Sequence, residues 1–142
     1  MTDHAAIEAL ERRFVAAFCM KDVVQIMTCF APGIVVFDLT IPRQHVGHAA
    51  YAKDWEGMFA RIDGPLDVEL ADLAITTNGS SLAFSHSIVH VAGRRRDGGT
   101  VGHHARVTHV YEKIDGAWVI VHEHVSVPID MATGKPDFQS KP

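Results

Sequence analysis

The sequence predicts an α+β domain, with three N-terminal helices packed on one face of a curved, mainly antiparallel sheet. Two observations carry this. Apart from the short run Ile34 to Phe37, apolar residues up to Phe59 recur at three- and four-residue spacings, whereas those after Gly64-Pro65 alternate with period two between tight-turn signals. Helices that precede a run of hairpin-linked strands segregate from them, so they cover one face of the sheet.

In the first helix Ile7, Leu10, Phe14, Ala17 and Phe18 form the apolar stripe, with Glu8, Glu11, Arg12 and Arg13 on other faces. Asp22 can cap a second, shorter helix carrying Val23, Ile26, Met27 and Phe30, which Pro32-Gly33 ends. The β-branched run Ile34 to Phe37 is a strand that delivers Asp38 to an irregular stretch reaching Gly47. Ala49, Ala52, Trp55, Met58 and Phe59 return to helical spacing between His48 and Arg61. Leu66, Val68 and Leu70, then Leu73 and Ile75, open the long strands. Asn78-Gly79, Arg94 to Gly99 and Asp115-Gly116 are the turns between Ser81 to Val91, Val101 to Lys113 and Trp118 to Val127. Strands this long are expected to curl around the helices and leave a cavity between the layers. Residues 1–130 make one domain, and the segment 131–142, with Gly134 and Pro136, reads as a poorly ordered tail.

At 142 residues and 47% hydrophobic, the chain holds one core and no second domain. A formal charge of −4 offers no basic field to nucleic acid or anionic lipid, so neither is expected as a partner. Arg94-Arg95-Arg96 runs into Asp97-Gly98-Gly99 and reads as a solvated hairpin tip. No stretch has the ~20 apolar residues of a membrane helix, and no basic-then-apolar leader opens the chain, so a soluble, cytoplasmic protein is expected. Cys19 and Cys29 are too few for a disulfide framework and are expected as reduced core thiols. Ten histidines are the compositional oddity.

The segment Phe14 to Phe18 leading to Asp22, the strand Ile34 to Asp38, and the ending Trp118 to Pro128 together resemble the SnoaL-like, or ketosteroid isomerase-like (NTF2-like), superfamily. The ending Asp115-Gly116-x-Trp118-x-Ile120-Val121-His122-x-His124-x-Ser126 also resembles the association domain of calcium/calmodulin-dependent kinase II, a non-enzymatic member of that fold. The resemblance implies a cone-shaped fold around one small-molecule pocket. It places Asp38 where the isomerases carry their general base. Phe14 stands at the tyrosine position that would donate to an oxyanion, which argues against true steroid isomerisation. The alternative for Asp38 is a strand end that bonds loop amides.

Register decides which side chains of the last two strands face that pocket. A two-residue turn at Asp115-Gly116 would pair His109 with His122, and a turn bulged at Gly116 would pair His109 with Val121. The bulged version is favoured. It gathers Val107, His109, Tyr111, Val121, Glu123 and Val125 on one face, and Arg106, Thr108, Trp118, Ile120, His122, His124 and Ser126 on the other. By resemblance the first group faces the pocket, with His109 near the second oxyanion position of the isomerases and Glu123 near a catalytic aspartate of the limonene epoxide hydrolases. Leu82, Phe84, His86, Ile88 and His90 share a face of the preceding strand and would bring His86 into the same cavity.

The candidate set is therefore His109, Glu123, His86 and Asp38 as acid/base groups, within a ligand-binding wall of Phe14, Phe18, Trp55, Phe59, Phe84, Tyr111 and Val125. Imidazole beside carboxylate is equipment for proton abstraction or water activation without a cofactor. A hydrogen-bonded polar cluster in an apolar interior is the structural alternative. His122 and His124 could hold a metal with His90, His103 or His104, but they read better as part of an outer sheet face that meets a second copy in a homodimer, with no metal. Three functions compete: a cofactor-free isomerase, cyclase, dehydratase or hydrolase on a small hydrophobic substrate; a non-catalytic ligand-binding or oligomerisation domain; and a metal-dependent enzyme.

Overall fold

Thr2 opens α1 (Asp3–Cys19) in the computed structural model, which describes residues 1–142: its side chain accepts from Ala5 N at 3.2 Å, satisfying one of the free amides of the first turn. The stripe Ile7, Leu10, Phe14, Ala17 and Phe18 is buried, and Glu11 is buried with it at 2% exposure. Asp22 caps α2 (Val23–Met27) by accepting from Gln25 N at 3.1 Å. Phe30, expected on that helix, instead begins β1 (Phe30–Phe37). The stretch after Asp38 contains the two-residue β2 (His45–Val46), and α3 (His48–Phe59) buries Tyr51, Trp55 and Phe59.

Four long strands follow: β3 (Ile62–Thr77), β4 (Leu82–Arg95), β5 (Thr100–Ile114) and β6 (Ala117–Ser126). Together with β1 and β2 they form one six-stranded sheet in the order β2-β1-β6-β5-β4-β3. All neighbours run antiparallel except β1 and β6, which are parallel. The phase change from Leu70 to Leu73 is a register shift between Ala71 and Ala74, with Asp72 at φ 55°.

The expected cone is not what forms. The sheet is open, with β2 and β3 as edges that pair on one side only, and it is neither closed nor strongly curled. Strand length was the wrong guide, because closure requires the first and last strands to meet, and β2 contributes only two residues toward that. The helices instead lie over one face and their aromatic side chains fill the space against it. No helix is long and apolar enough to cross a membrane.

Segment 131–142, read as a loose tail, takes part in a hairpin between β7 (Ile129–Asp130) and β8 (Lys135–Pro136). It also returns to the sheet: His104 N donates to Phe138 O at 2.8 Å and Gln139 Nε2 to Gly102 O at 3.0 Å.

Candidate functional site

The hairpin between β5 and β6 aims the central side chains. Asp115 and Gly116, at φ 51° and 81°, form a two-residue turn that pairs Ile114 with Ala117 and Tyr111 with Ile120. One extra residue, Val121, then shifts the ladder, so that Val110 pairs with His122 and His109 with Glu123. Neither expected register holds along the whole hairpin: the bulge lies at Val121, not at Gly116. That bulge lets Trp118 and Ile120 face inward before it and Glu123 after it. Trp118 and Ile120, expected outside, are therefore core residues.

His109 is 2% exposed and lies between two carboxylates. Its Nδ1 is 2.6 Å from Oε1 of Glu11 and its Nε2 is 2.5 Å from Oε2 of Glu123. Facing an acceptor on both sides, the ring donates twice as an imidazolium. Burial opposes that charge, but the Glu11 carboxylate and the hydrogen bonds that His109 donates to both glutamates outweigh it and push His109 up to about 10. Reciprocally, burial would raise Glu11, while the His109 charge and the His109 and Tyr111 hydrogen bonds hold it below its ordinary value.

The chain of contacts extends both ways. Tyr111 donates to Glu11 Oε1, so Ser85 Oγ, 2.6 Å from the Tyr111 hydroxyl, is the donor to it. At the other end Tyr51 donates to Glu123 Oε1. Six side chains from α1, α3, β4, β5 and β6 thus form one buried relay, Ser85, Tyr111, Glu11, His109, Glu123 and Tyr51, each at most 3% exposed. Burial, followed by the charges of Glu123, Asp38 and Asp54, drives the Tyr51 phenol well above its ordinary range.

Asp38 stands at the end of β1, beside this relay. It accepts from Leu39 N at 2.7 Å, and its carboxyl is pushed up to about 6 by burial first and by the Glu123 charge second.

Phe14, Phe18, Trp55 and Phe59 lie together as expected, but against one another: Phe18 and Trp55 rings are 4.7 Å apart and Phe14 and Trp55 rings 6.1 Å apart, both edge-on. Val125 is half-buried and packs on the core. His86 and Phe84 are placed differently from the expectation. Ala83, Ser85 and Ser87 are the inward residues of β4, and His86 and Phe84 are exposed on the opposite face. The strand is apolar in both phases, and the small residues win the inner face because Tyr111 and α1 need the room. A groove of about 520 Å³ runs between α1 and β3, past Glu11, Val15, Val68 and Leu70.

Sequence reasoning missed Glu11, Tyr51 and Ser85. Glu11 is four residues after Ile7 and three before Phe14, and Tyr51 is four before Trp55, so their positions on the buried stripes were the available signal. Among the outer histidines, His122 Nδ1 is 2.7 Å from Val35 O and its ring is 6.4 Å from that of His124. No three His, Cys, Asp or Glu side chains are grouped so as to hold a metal ion.

Residues 7–130 match the family model described as a SnoaL-like domain. An NTF2-like protein of unknown function from Pseudomonas putida KT2440 is 32% identical, with a TM-score of 0.87 over 100% of this chain and 99% of that one. A candidate scytalone dehydratase from Novosphingobium aromaticivorans DSM 12444 has a TM-score of 0.80 at 16% identity, over 99% and 95% of the two chains. A ketosteroid isomerase-like protein from Erwinia carotovora atroseptica SCRI1043 has a TM-score of 0.74 at 18% identity, over 86% and 93%. No curated protein matches the chain.

Proposed function

This chain belongs to the SnoaL-like domain family, and from that premise we propose that it is a cofactor-free acid/base enzyme acting on a small hydrophobic substrate, with Asp38 as the proton-transfer group. The observation that carries the proposal is the placement of a raised, partly accessible carboxyl beside a buried charged relay, within reach of the Glu123 charge. A group that exchanges protons near pH 6 can work in both directions under physiological conditions. His109 is the positioning residue. Held as a cation to about pH 10, it is not the group that exchanges protons, but it anchors Glu123, whose charge in turn raises Asp38.

One observation favours the non-catalytic alternative. Both nitrogens of His109 and both oxygens of Glu123 are already bonded within the protein, as a purely structural polar core would have them. The two readings separate in one assay. A panel of small apolar ketones, alcohols and epoxides is incubated with the protein in D2O and followed by proton NMR. Turnover or carbon-bound exchange that Asp38→Asn abolishes supports the enzyme. Binding without turnover, or turnover indifferent to Asp38→Asn, assigns the chain to ligand binding or removes Asp38 from its role.

We propose in addition that two copies pair through the outer sheet face. Leu82 and Phe84 are exposed there at 47% and 46%, more apolar surface than a strand facing only water needs.

A further inference from the structure

His90 on β4 and His104 on β5 are direct cross-strand partners. Their neighbours Val89, Val91 and Ala105 are buried on the inner face, so the two histidines project from the outer face, opposite to His109 and Glu123. Side chains paired in this way start about 4.5–5.5 Å apart at Cβ. Here the half-buried rings stack, with centroids 4.5 Å apart and planes inclined by 25°. His104 Nδ1 is buried and has no hydrogen-bond partner. An unmatched buried nitrogen is costly, and a ligand that engages this ring would recover that cost.

The register surrounds the pair with carboxylates and open space. Glu69 pairs with His90 from the other side, which extends the row to Glu69, His90 and His104. The next row on the same face is Asp67, Ala92 and Gly102. Asp67 and Glu69 are exposed, and nothing lies within 4 Å of where a side chain on Gly102 would begin. An ion and its waters therefore have room beside the rings, in a negative field that attracts a cation. On the opposite side lie Ile88 and Arg106, and Arg106 is turned toward β6, where its Nε donates to Ser126 Oγ at 3.0 Å. His122 and His124, the other neighbouring imidazoles of this face, are less suited: their rings are 6.4 Å apart and His122 Nδ1 is 2.7 Å from Val35 O.

We propose that His90 and His104 together hold a divalent transition-metal ion of the zinc or copper kind, with water filling the positions that the protein leaves open. Imidazole selects such ions over magnesium and calcium, which prefer oxygen ligands. The carboxylates do not join the rings in a ready three-ligand group, so they act through charge. Rotation about χ2, a soft torsion in histidine, turns a nitrogen of each ring toward a common ion at the ~2.0–2.1 Å that zinc requires, and no hydrogen bond from His104 Nδ1 has to break. The site is independent of the acid/base function proposed for Asp38. It also lies about 27 Å along β4 from Leu82, so a second copy seated on Leu82 and Phe84 need not cover it.

The imidazole nitrogens of the ¹⁵N-labelled protein, assigned with His90→Ala and His104→Ala, are followed by long-range proton–nitrogen correlation as zinc chloride or magnesium chloride is added. At about pH 7.5 ordinary imidazole is neutral and free to ligate. Zinc is expected to shift His90 and His104 before any other histidine, and magnesium to shift neither. In calorimetric titration each alanine variant is expected to bind zinc about tenfold more weakly or worse, with His122→Ala unchanged. Should an alanine variant lose the native amide spectrum, His90→Gln and His104→Gln carry the same expectation. Zinc that shifts His122 and His124 first, or many histidines together, overturns the assignment. So does excess zinc that leaves both rings unmoved, or an affinity indifferent to both substitutions.

Discussion

His109 and Glu123 face each other across β5 and β6, with Nε2 2.5 Å from Oε2, because a single extra residue, Val121, advances β6 by one position just before Glu123. Without that shift a strand that turns Trp118 and Ile120 into the core would turn Glu123 to the outside. The bulge thus serves both needs of the sheet, apolar packing near the turn and a charged pair further along.

Glu11 is the second anion on His109, and its loss is the cleanest probe of the relay. Glu11→Gln keeps an acceptor of the same shape but removes the charge that supports a fully buried imidazolium. Urea unfolding at pH 7 is expected to show a loss of about 2–4 kcal/mol. The His109 ring resonances are expected to titrate at a clearly lower pH than in the unaltered protein. Unchanged titration would mean that Glu123 alone holds the charge.

The order of elements was legible because it depends on periodicity, and even the phase change from Leu70 to Leu73 could be read from apolar spacing. The inner faces of β4 and β6 could not. Phe84, Ile88 and Val89, Val91 make β4 apolar in both phases, and only the packing demands of Tyr111 and α1 select Ala83 and Ser85 as the inner set. The bulge at Val121 has no glycine or other local mark, so a glycine turn drew it away to Gly116. Glu11 was misplaced for a different reason: a charged residue on an apolar stripe is assigned to solvent unless its partner is known, and that partner is almost a hundred positions away in the chain.

The outer face provides a test of pairing between copies. If Phe84 and Leu82 are covered in a dimer, Phe84→Asp buries two unpaired carboxylates at the junction and is expected to yield monomer by light scattering, with the far-ultraviolet circular dichroism intact. His86→Ala, on the same face, is expected to leave ligand binding at the inner site unchanged.

The raised His109 sets an alkaline limit to stability. Its proton is held more tightly in the folded protein, where it is lost at about 10, than in the unfolded chain, where it is lost near 6.5. The stabilisation is therefore complete below about pH 6.5 and disappears as the pH rises through 10. His109→Gln is expected to cost about 3–5 kcal/mol at pH 6 and much less at pH 10.5. A cost independent of pH would show that the ring contributes by packing and not by charge.

Asp38 works in the opposite sense. Its carboxyl rises from 3.8 to about 6 on folding, so between those values the folded protein holds a proton that the unfolded chain has released. Stability consequently falls as the pH rises through that window, and the cost is constant above it. Asp38→Asn removes a carboxylate that burial and Glu123 both oppose. The variant is expected to be more stable than the unaltered protein by roughly 3 kcal/mol at pH 8 and no more stable at pH 4. A gain of stability on Asp38→Asn, paired with a loss of turnover, would support the acid/base role proposed for this carboxyl. A carboxylate that merely ends β1 by bonding Leu39 N would instead lose stability on the same substitution, and urea unfolding at the two pH values distinguishes the two roles.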